Sequence, residues 1–215
     1  MTPTIVNKPE ITPLQYQQLG KSDLQVSSIG LGCVTFGREI DEATSFGVLD
    51  RAVDRGINLL DTAAAYGDGA SETVIGRWLR DRGARDCVAR DRLVIATKVR
   101  GPMSDAAEGN TGDVNNVGLS RKHIIASCEA SLRRLGTDHI DLYQVHGWDE
   151  KTPLDETMRA LDDLVRAGKV RYIGCSNFAA WQIVAANNIG RSNGGTPFCS
   201  LQAYYSLAGR DLELD

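Results

Sequence analysis

The sequence predicts a (β/α) barrel, on three observations. Short apolar segments alternate strictly with helical segments along almost the whole chain. Strands that read as continuous apolar runs, each followed by a helix, belong to a parallel sheet, either closed or doubly wound. Asp61, Lys98, His146, the pair Ser176–Asn177 and Gln202 fall in turn at the C-terminal ends of successive predicted strands. In a barrel those ends converge on one mouth; along a doubly wound sheet they would be strung along an edge, so the coincidence favours the barrel.

Residues 1–13 are polar and proline-containing and read as a loose tail. Tyr16 to Leu19 and Leu24 to Val26 flank the turn Gly20-Lys21-Ser22-Asp23 and predict a β-hairpin. Ser28 to Gly32 is a short strand running into a glycine-rich loop. Asp41 can N-cap a helix over 42–55, with Phe46, Leu49, Ala52 and Val53 on one face and Gly56 closing it. Strands follow over 57–60, ending at Asp61, and over 93–97, ending at Lys98, with a helix opened by Ser71 between them. Residues 101–119 form a long polar loop. Ser120 caps a helix to Leu135, closed by Gly136; the strand 140–145 ends at His146. A helix from Pro153 or Leu154 to Ala167 is closed by Gly168, and the strand 170–175 ends at Ser176–Asn177. A helix over 179–188 and a last strand over 198–202 complete about six βα units. No linker or shift in composition divides the chain, so residues 1–215 read as a single domain.

Composition narrows the function. The chain is 42% hydrophobic and 24% charged, an ordinary globular balance, with a formal net charge of −4. Such a balance offers no electrostatic footprint for nucleic acid, and no basic cluster suggests an anionic membrane. No apolar run approaches the ~20 residues that span a bilayer. The N-terminus lacks the pattern of a signal peptide. The five cysteines are scattered, without a Cys-x-x-Cys pair or a histidine at metal-ligand spacing. They read as reduced thiols of a cytoplasmic protein.

Asp61, Tyr66, Lys98 and His146 together suggest a chemistry. A tyrosine holds its proton up to pH ~10, too high for easy transfer near neutrality. A lysine ammonium beside it favours the phenolate, and a carboxylate paired with the lysine keeps that lysine charged and in place. Such a set can protonate an oxygen that gains charge, as a carbonyl does on receiving a hydride. His146 would orient that oxygen, and a cofactor must supply the hydride. Taken singly, Asp61 could cap a turn, Lys98 could be solvated, Tyr66 packed, and His146 a satisfied core histidine. Ser176–Asn177 could be a plain helix N-cap. Trp148 could line a pocket or pack, and Cys33 and Cys175 read as small core residues. It is the joint placement that favours function.

These residues sit in a set of stretches that resembles the aldo-keto reductases over nearly the whole chain. The matching stretches are Ile29-Gly-Leu-Gly32 with Thr35-Phe-Gly37, Gly56-Ile-Asn-Leu-Leu-Asp-Thr-Ala63, and Tyr66-Gly67. They continue with Ala96-Thr-Lys98, Asp141-Leu-Tyr-Gln-Val-His146, Gly174-Cys-Ser-Asn-Phe178 and Gln202-Ala-Tyr-Tyr-Ser-Leu207. The first and last of these resemble the branch with voltage-gated potassium channel β subunits and bacterial relatives. The resemblance implies a (β/α)8 TIM barrel with an N-terminal β-hairpin and NADPH as cofactor. It implies that Tyr66 is the proton donor, Lys98 its partner, Asp61 the counter-ion, and His146 the group that orients a small carbonyl substrate. It places Ser176, Asn177 and Gln202 at the nicotinamide carboxamide, and Gly32 and Cys33, with Asp61, beside the cofactor.

The family barrel has eight strands, and this chain supplies six, ending on what reads as the start of a sixth helix. A full barrel typically takes ~250 residues. The expectation is a longer natural chain, with a true truncation that needs a partner as the alternative. Two rival functions stand beside carbonyl reduction: an NADP(H)-binding regulatory or scaffold subunit with little turnover, and a barrel lyase using Lys98 as a Schiff base. Whether copies of the chain form a homo-oligomer is left open.

Overall fold

The computed structural model describes residues 13–84, 89–102, 116–192 and 194–214. Strands β1 (Tyr16–Gln18) and β2 (Gln25–Ser27) form the expected antiparallel hairpin, with Tyr16 opposite Ser27. Six further strands follow: β3 (Leu31–Gly32), β4 (Leu59–Asp61), β5 (Val94–Val99), β6 (Ile140–Val145), β7 (Val170–Ser176) and β8 (Leu201–Gln202). They lie side by side in chain order, and every adjacent pair is parallel. Helices α1 (Glu42–Asp54), α2 (Ala70–Ala84), α3 (Arg121–Leu135), α4 (Leu154–Arg166) and α5 (Ala180–Ser192) occupy the crossovers. This is the predicted barrel architecture, with six strands among the described residues.

The caps form where the sequence places them. The Asp41 carboxylate accepts from the Thr44 backbone N–H at 2.8 Å, and the Ser120 hydroxyl accepts from the His123 N–H at 3.3 Å. Gly56, Gly136 and Gly168, with φ of 88°, 63° and 73°, end α1, α3 and α4 in the left-handed region that glycine enters without steric cost. In α4, Thr157, Met158, Ala160, Leu161 and Leu164 recur at helical spacing and are buried, which presses this face onto the sheet.

Strands β5 and β6 are buried along their whole length. Leu60, Ile95, Tyr143 and Ile173 from the sheet pack in one cluster with Ile75, Trp78, Ile124 and Leu161 from the helices. Each such side chain contributes about 1.5–3 kcal/mol through burial. Helix α2 crosses α3 closely because Gly76 has no side chain: a Cβ there would lie 2.1 Å from the Arg134 carbonyl oxygen.

Four elements depart from expectation. β3 is two residues long rather than five, and β8 likewise shrinks to Leu201–Gln202. Both are edge strands among the described residues, so each draws ladder bonds from one side only. α5 runs past Asn188 to Ser192, because Asn187 turns its side-chain oxygen to the Phe198 N–H (2.8 Å) instead of breaking the helix. The expected start of a sixth helix is a single 3₁₀ turn, Asp211–Glu213. Most of the polar loop 101–119 and of the N-terminal tail, and Cys87, lie outside the described residues. No helix among the described residues is long and apolar enough to cross a membrane.

Replacing Gly76 with alanine tests the helix crossing. A helix interior normally gains about 1 kcal/mol from this change. Here the clash with a backbone oxygen reverses the sign, and urea denaturation should show a net loss of about 1–3 kcal/mol.

Candidate active site

The parallel register brings the strand-end residues together. Gly32 pairs with Asp61, Asp61 with Ala96, Lys98 with Gln144, and Ser176 with Gln202. Side chains alternate between the two faces of a strand, so Lys98 and Ala96 share the face that Thr97 leaves. The Lys98 side chain is 1% exposed. An ammonium so buried must be paired, and it is. Its Nζ donates to both Asp61 carboxylate oxygens at 2.8 Å, to the Thr62 carbonyl at 2.9 Å, and to the Tyr66 hydroxyl oxygen at 3.3 Å.

Tyr66 reaches this position because the chain reverses just after it. Gly67, Asp68 and Gly69 all have left-handed φ, at 59°, 51° and 86°. The Tyr66 ring lies 5.0 Å from the Lys98 Nζ and meets the His146 ring edge-on, with centroids 5.7 Å apart. His146 extends the β6 ladder, its N–H donating to the Val99 carbonyl at 2.8 Å. Burial first, and then the Lys98 charge, hold its imidazole below the usual value of 6.5, against an opposing pull from Asp61; Arg100 adds a smaller push downward. His146 is therefore neutral near pH 7 and carries one ring N–H donor.

The remaining expected residues surround this cluster with varied exposure. Gln202 is exposed, and its amide donates to Asp61 at 3.2 Å. Ser176 is buried and accepts from the Asn177 amide at 3.1 Å; that amide also donates to the His146 carbonyl at 3.3 Å. Asn177 has a φ of 54°, a left-handed conformation that asparagine tolerates better than most residues. Neither residue caps α5. That helix begins at Ala180, and the Gln182 side chain accepts from the Ala179 N–H at 2.9 Å. Gly32 has open space where a side chain would project. Cys33 is fully buried beneath the site, with its N–H donating to the Asp61 carbonyl at 2.8 Å. Burial, and after it the Asp61 charge, push its thiol up to about 12, and burial does the same for Cys175. Both are inert core thiols, as expected. Trp148 packs edge-on against Phe178 and Trp181, at 5.4 and 5.5 Å.

Three residues enter the site that sequence reasoning missed. Thr62 supplies the third oxygen to Lys98. Ser71, fully buried at the start of α2, donates to the Cys33 carbonyl at 2.7 Å and shares a 2.8 Å hydrogen bond with the Thr62 hydroxyl. It thereby ties the ends of β3 and β4 to α2. Arg100, two residues past Lys98, has a φ of 147°, a strained value for a residue with a Cβ. Its guanidinium donates to the Trp148 carbonyl at 2.9 Å. Among the described residues no group of His, Cys, Asp or Glu could hold a metal ion.

The aldo/keto reductase family model matches residues 28–214. The uncharacterized oxidoreductase YrpG of Bacillus subtilis is 42% identical over 206 residues, spanning 94% of this chain and 61% of its own length. Versiconal hemiacetal acetate reductase of Aspergillus parasiticus is 38% identical over 216 residues (93% and 62%). Norsolorinic acid reductase of Aspergillus flavus is 38% identical over 214 residues (95% and 53%). The chain thus spans about three fifths of the length of the first two of these relatives.

Two predictions concern the site as a folded object. Ser71→Ala leaves the Cys33 carbonyl and the Thr62 hydroxyl short of a buried partner, so it should cost about 1–3 kcal/mol in urea denaturation. His146 binds its proton less readily folded than unfolded. Its contribution is therefore complete above the usual 6.5 and is lost as pH falls through its lower folded value. Stability measured from pH 7 downward should fall less steeply in His146→Gln than in the parent. An unchanged slope would mean that His146 takes up its proton equally in both states.

Proposed function

Because the chain belongs to the aldo/keto reductase family, we propose that the whole protein reduces aldehydes or ketones to alcohols with NADPH, and that Tyr66 delivers the proton. The observation that carries this reading is the buried Lys98 ammonium, held by both Asp61 oxygens and placed 3.3 Å from the Tyr66 oxygen. The phenol oxygen accepts from the ammonium, so its own hydrogen is free to be given away. Once it is given, the phenolate faces a fixed positive charge on a buried side chain. Neutral His146, beside the Tyr66 ring, donates a hydrogen bond to the same substrate oxygen and sets its direction.

The chemistry of the donor set fits a nicotinamide. Asn177 and Gln202 present exposed amides and Ser176 a hydroxyl, which complement the donors and acceptors of a carboxamide, and Gly32 leaves room at the end of β3. A bound reduced nicotinamide would supply the hydride that no side chain can. The preference for NADPH rests on the family resemblance. The reductase names of two relatives support carbonyl reduction as the direction of use. The described cysteines are free thiols, which fits a cytoplasmic setting.

In the whole protein, Tyr66→Phe should lower turnover of an aromatic aldehyde by about 10²–10⁴-fold, the usual contribution of a placed acid. Cofactor binding, followed by quenching of tryptophan fluorescence, should hardly change. Undiminished turnover would remove Tyr66 from the reaction. Tight cofactor binding by the parent without turnover of any carbonyl compound would favour a regulatory subunit instead.

A further inference from the structure

We propose that an arginine-lined groove on the helical face of the molecule is a binding site for a small phosphate dianion. The groove lies between α2, the last turn of α3 and the 3₁₀ turn Arg90–Arg92, and has a volume of about 520 Å³. That is within the range of small-molecule sites. Arg77, Arg80, Arg90, Arg133 and Arg134 line it, and none of its described lining residues is acidic. The chain as a whole has more acidic than basic residues, 28 against 24. The wall of the groove is therefore basic although the chain as a whole is acidic.

The five arginines divide into a fixed frame and two free groups. Arg90 is held by the Asp141 carboxylate at 2.7 Å and by the Thr137 hydroxyl and the His139 carbonyl. Arg134 is held by Glu72 at 2.7 Å, and Arg77 by Glu42 at 2.6 Å. Arg80 and Arg133 are exposed and have no carboxylate partner among the described residues. Two unpaired guanidiniums match the charge of one phosphate dianion, and their planar forks suit its oxygens. The close approach of α2 to α3 at Gly76 brings the two helices that carry them into register.

A plainer explanation is that basic residues in the last turn of a helix offset its exposed carbonyls. It covers Arg133 at most. Arg134 is taken by Glu72, and Arg80 lies on the other helix.

The site can be tested without cofactor or turnover, so its failure would leave the reductase reading untouched. Inorganic phosphate and glucose 6-phosphate are titrated calorimetrically into the protein at pH 8 and low ionic strength. Saturable binding with one site is expected, weakening as salt is added. The paired change Arg80→Gln with Arg133→Gln should weaken it at least tenfold. The charge-matched pair Arg51→Gln with Arg191→Gln, on α1 and α5, should leave it unchanged. Stronger binding of either probe supports the site and tells a free inorganic phosphate from one on an organic carrier. As a measurement on the unaltered protein, phenylglyoxal modification of Arg80 and Arg133 should be suppressed by inorganic phosphate. Absence of saturation, equal loss in both pairs, or equal modification with and without inorganic phosphate would each overturn the proposal.

Discussion

The buried ammonium of Lys98 is the constraint on which the rest of the site depends. Leaving such a charge unpaired would cost several kcal/mol. Its acceptors all come from the end of β4 and the turn beyond it, so β4 and β5 must align with Asp61 opposite Ala96. A slip of one residue would carry Lys98 to the helical face and Thr97 to the mouth. The same pairing that fixes the strand register therefore assembles the tetrad.

The opposite face of β5 carries a second buried charge. Glu72, fully buried on α2, accepts from the Thr97 hydroxyl and from Arg134 on α3. Consecutive residues of one strand thus anchor a cation toward the mouth and an anion toward the helices. Thr97 holds α2 against the sheet, and the first turn of α2 carries Ser71, which braces the carbonyl of Cys33 and the hydroxyl of Thr62. Helix position, strand register and the place of Lys98 form one connected set of contacts. Removing any member loosens the others more than its own bond would suggest.

Most of the frame was legible in the sequence because it is written in local signals. Asp41 and Ser120 as N-caps, Gly56, Gly136 and Gly168 as helix ends, and apolar strands ending in polar residues each act within a few positions. Asp61, Lys98 and His146 were legible because they sit at or just past such ends, and Tyr66 because it follows β4 closely and completes a chemistry with them. Ser71 and Thr62 were not, because a hydroxyl that bonds a carbonyl on another strand leaves no pattern in its own neighbourhood. The lengths of β3 and β8 were overestimated for a related reason: an apolar run shows a wish to be buried, but a ladder also needs neighbours, and among the described residues these strands have one each. At Asn187 the side chain could serve a distant N–H or its own backbone, and only the packed chain decides between them.

The roles proposed for the residues at the mouth rest on which hydrogens are already committed. Lys98 has three N–H donors, and they are taken by one carboxylate, one carbonyl and the phenol oxygen. Asp61 is a pure acceptor while it holds that ammonium. His146, kept neutral by burial and by the charge of Lys98, has one N–H and no acidic proton to lose at neutral pH. The Ser176 hydroxyl accepts from Asn177, whose amide also reaches the His146 carbonyl. In the proposed reaction Tyr66 is the proton source, because its phenolate would face the fixed Lys98 cation. In that reaction a substrate oxygen that gains negative charge would meet one proton source and one neutral donor, Tyr66 and His146.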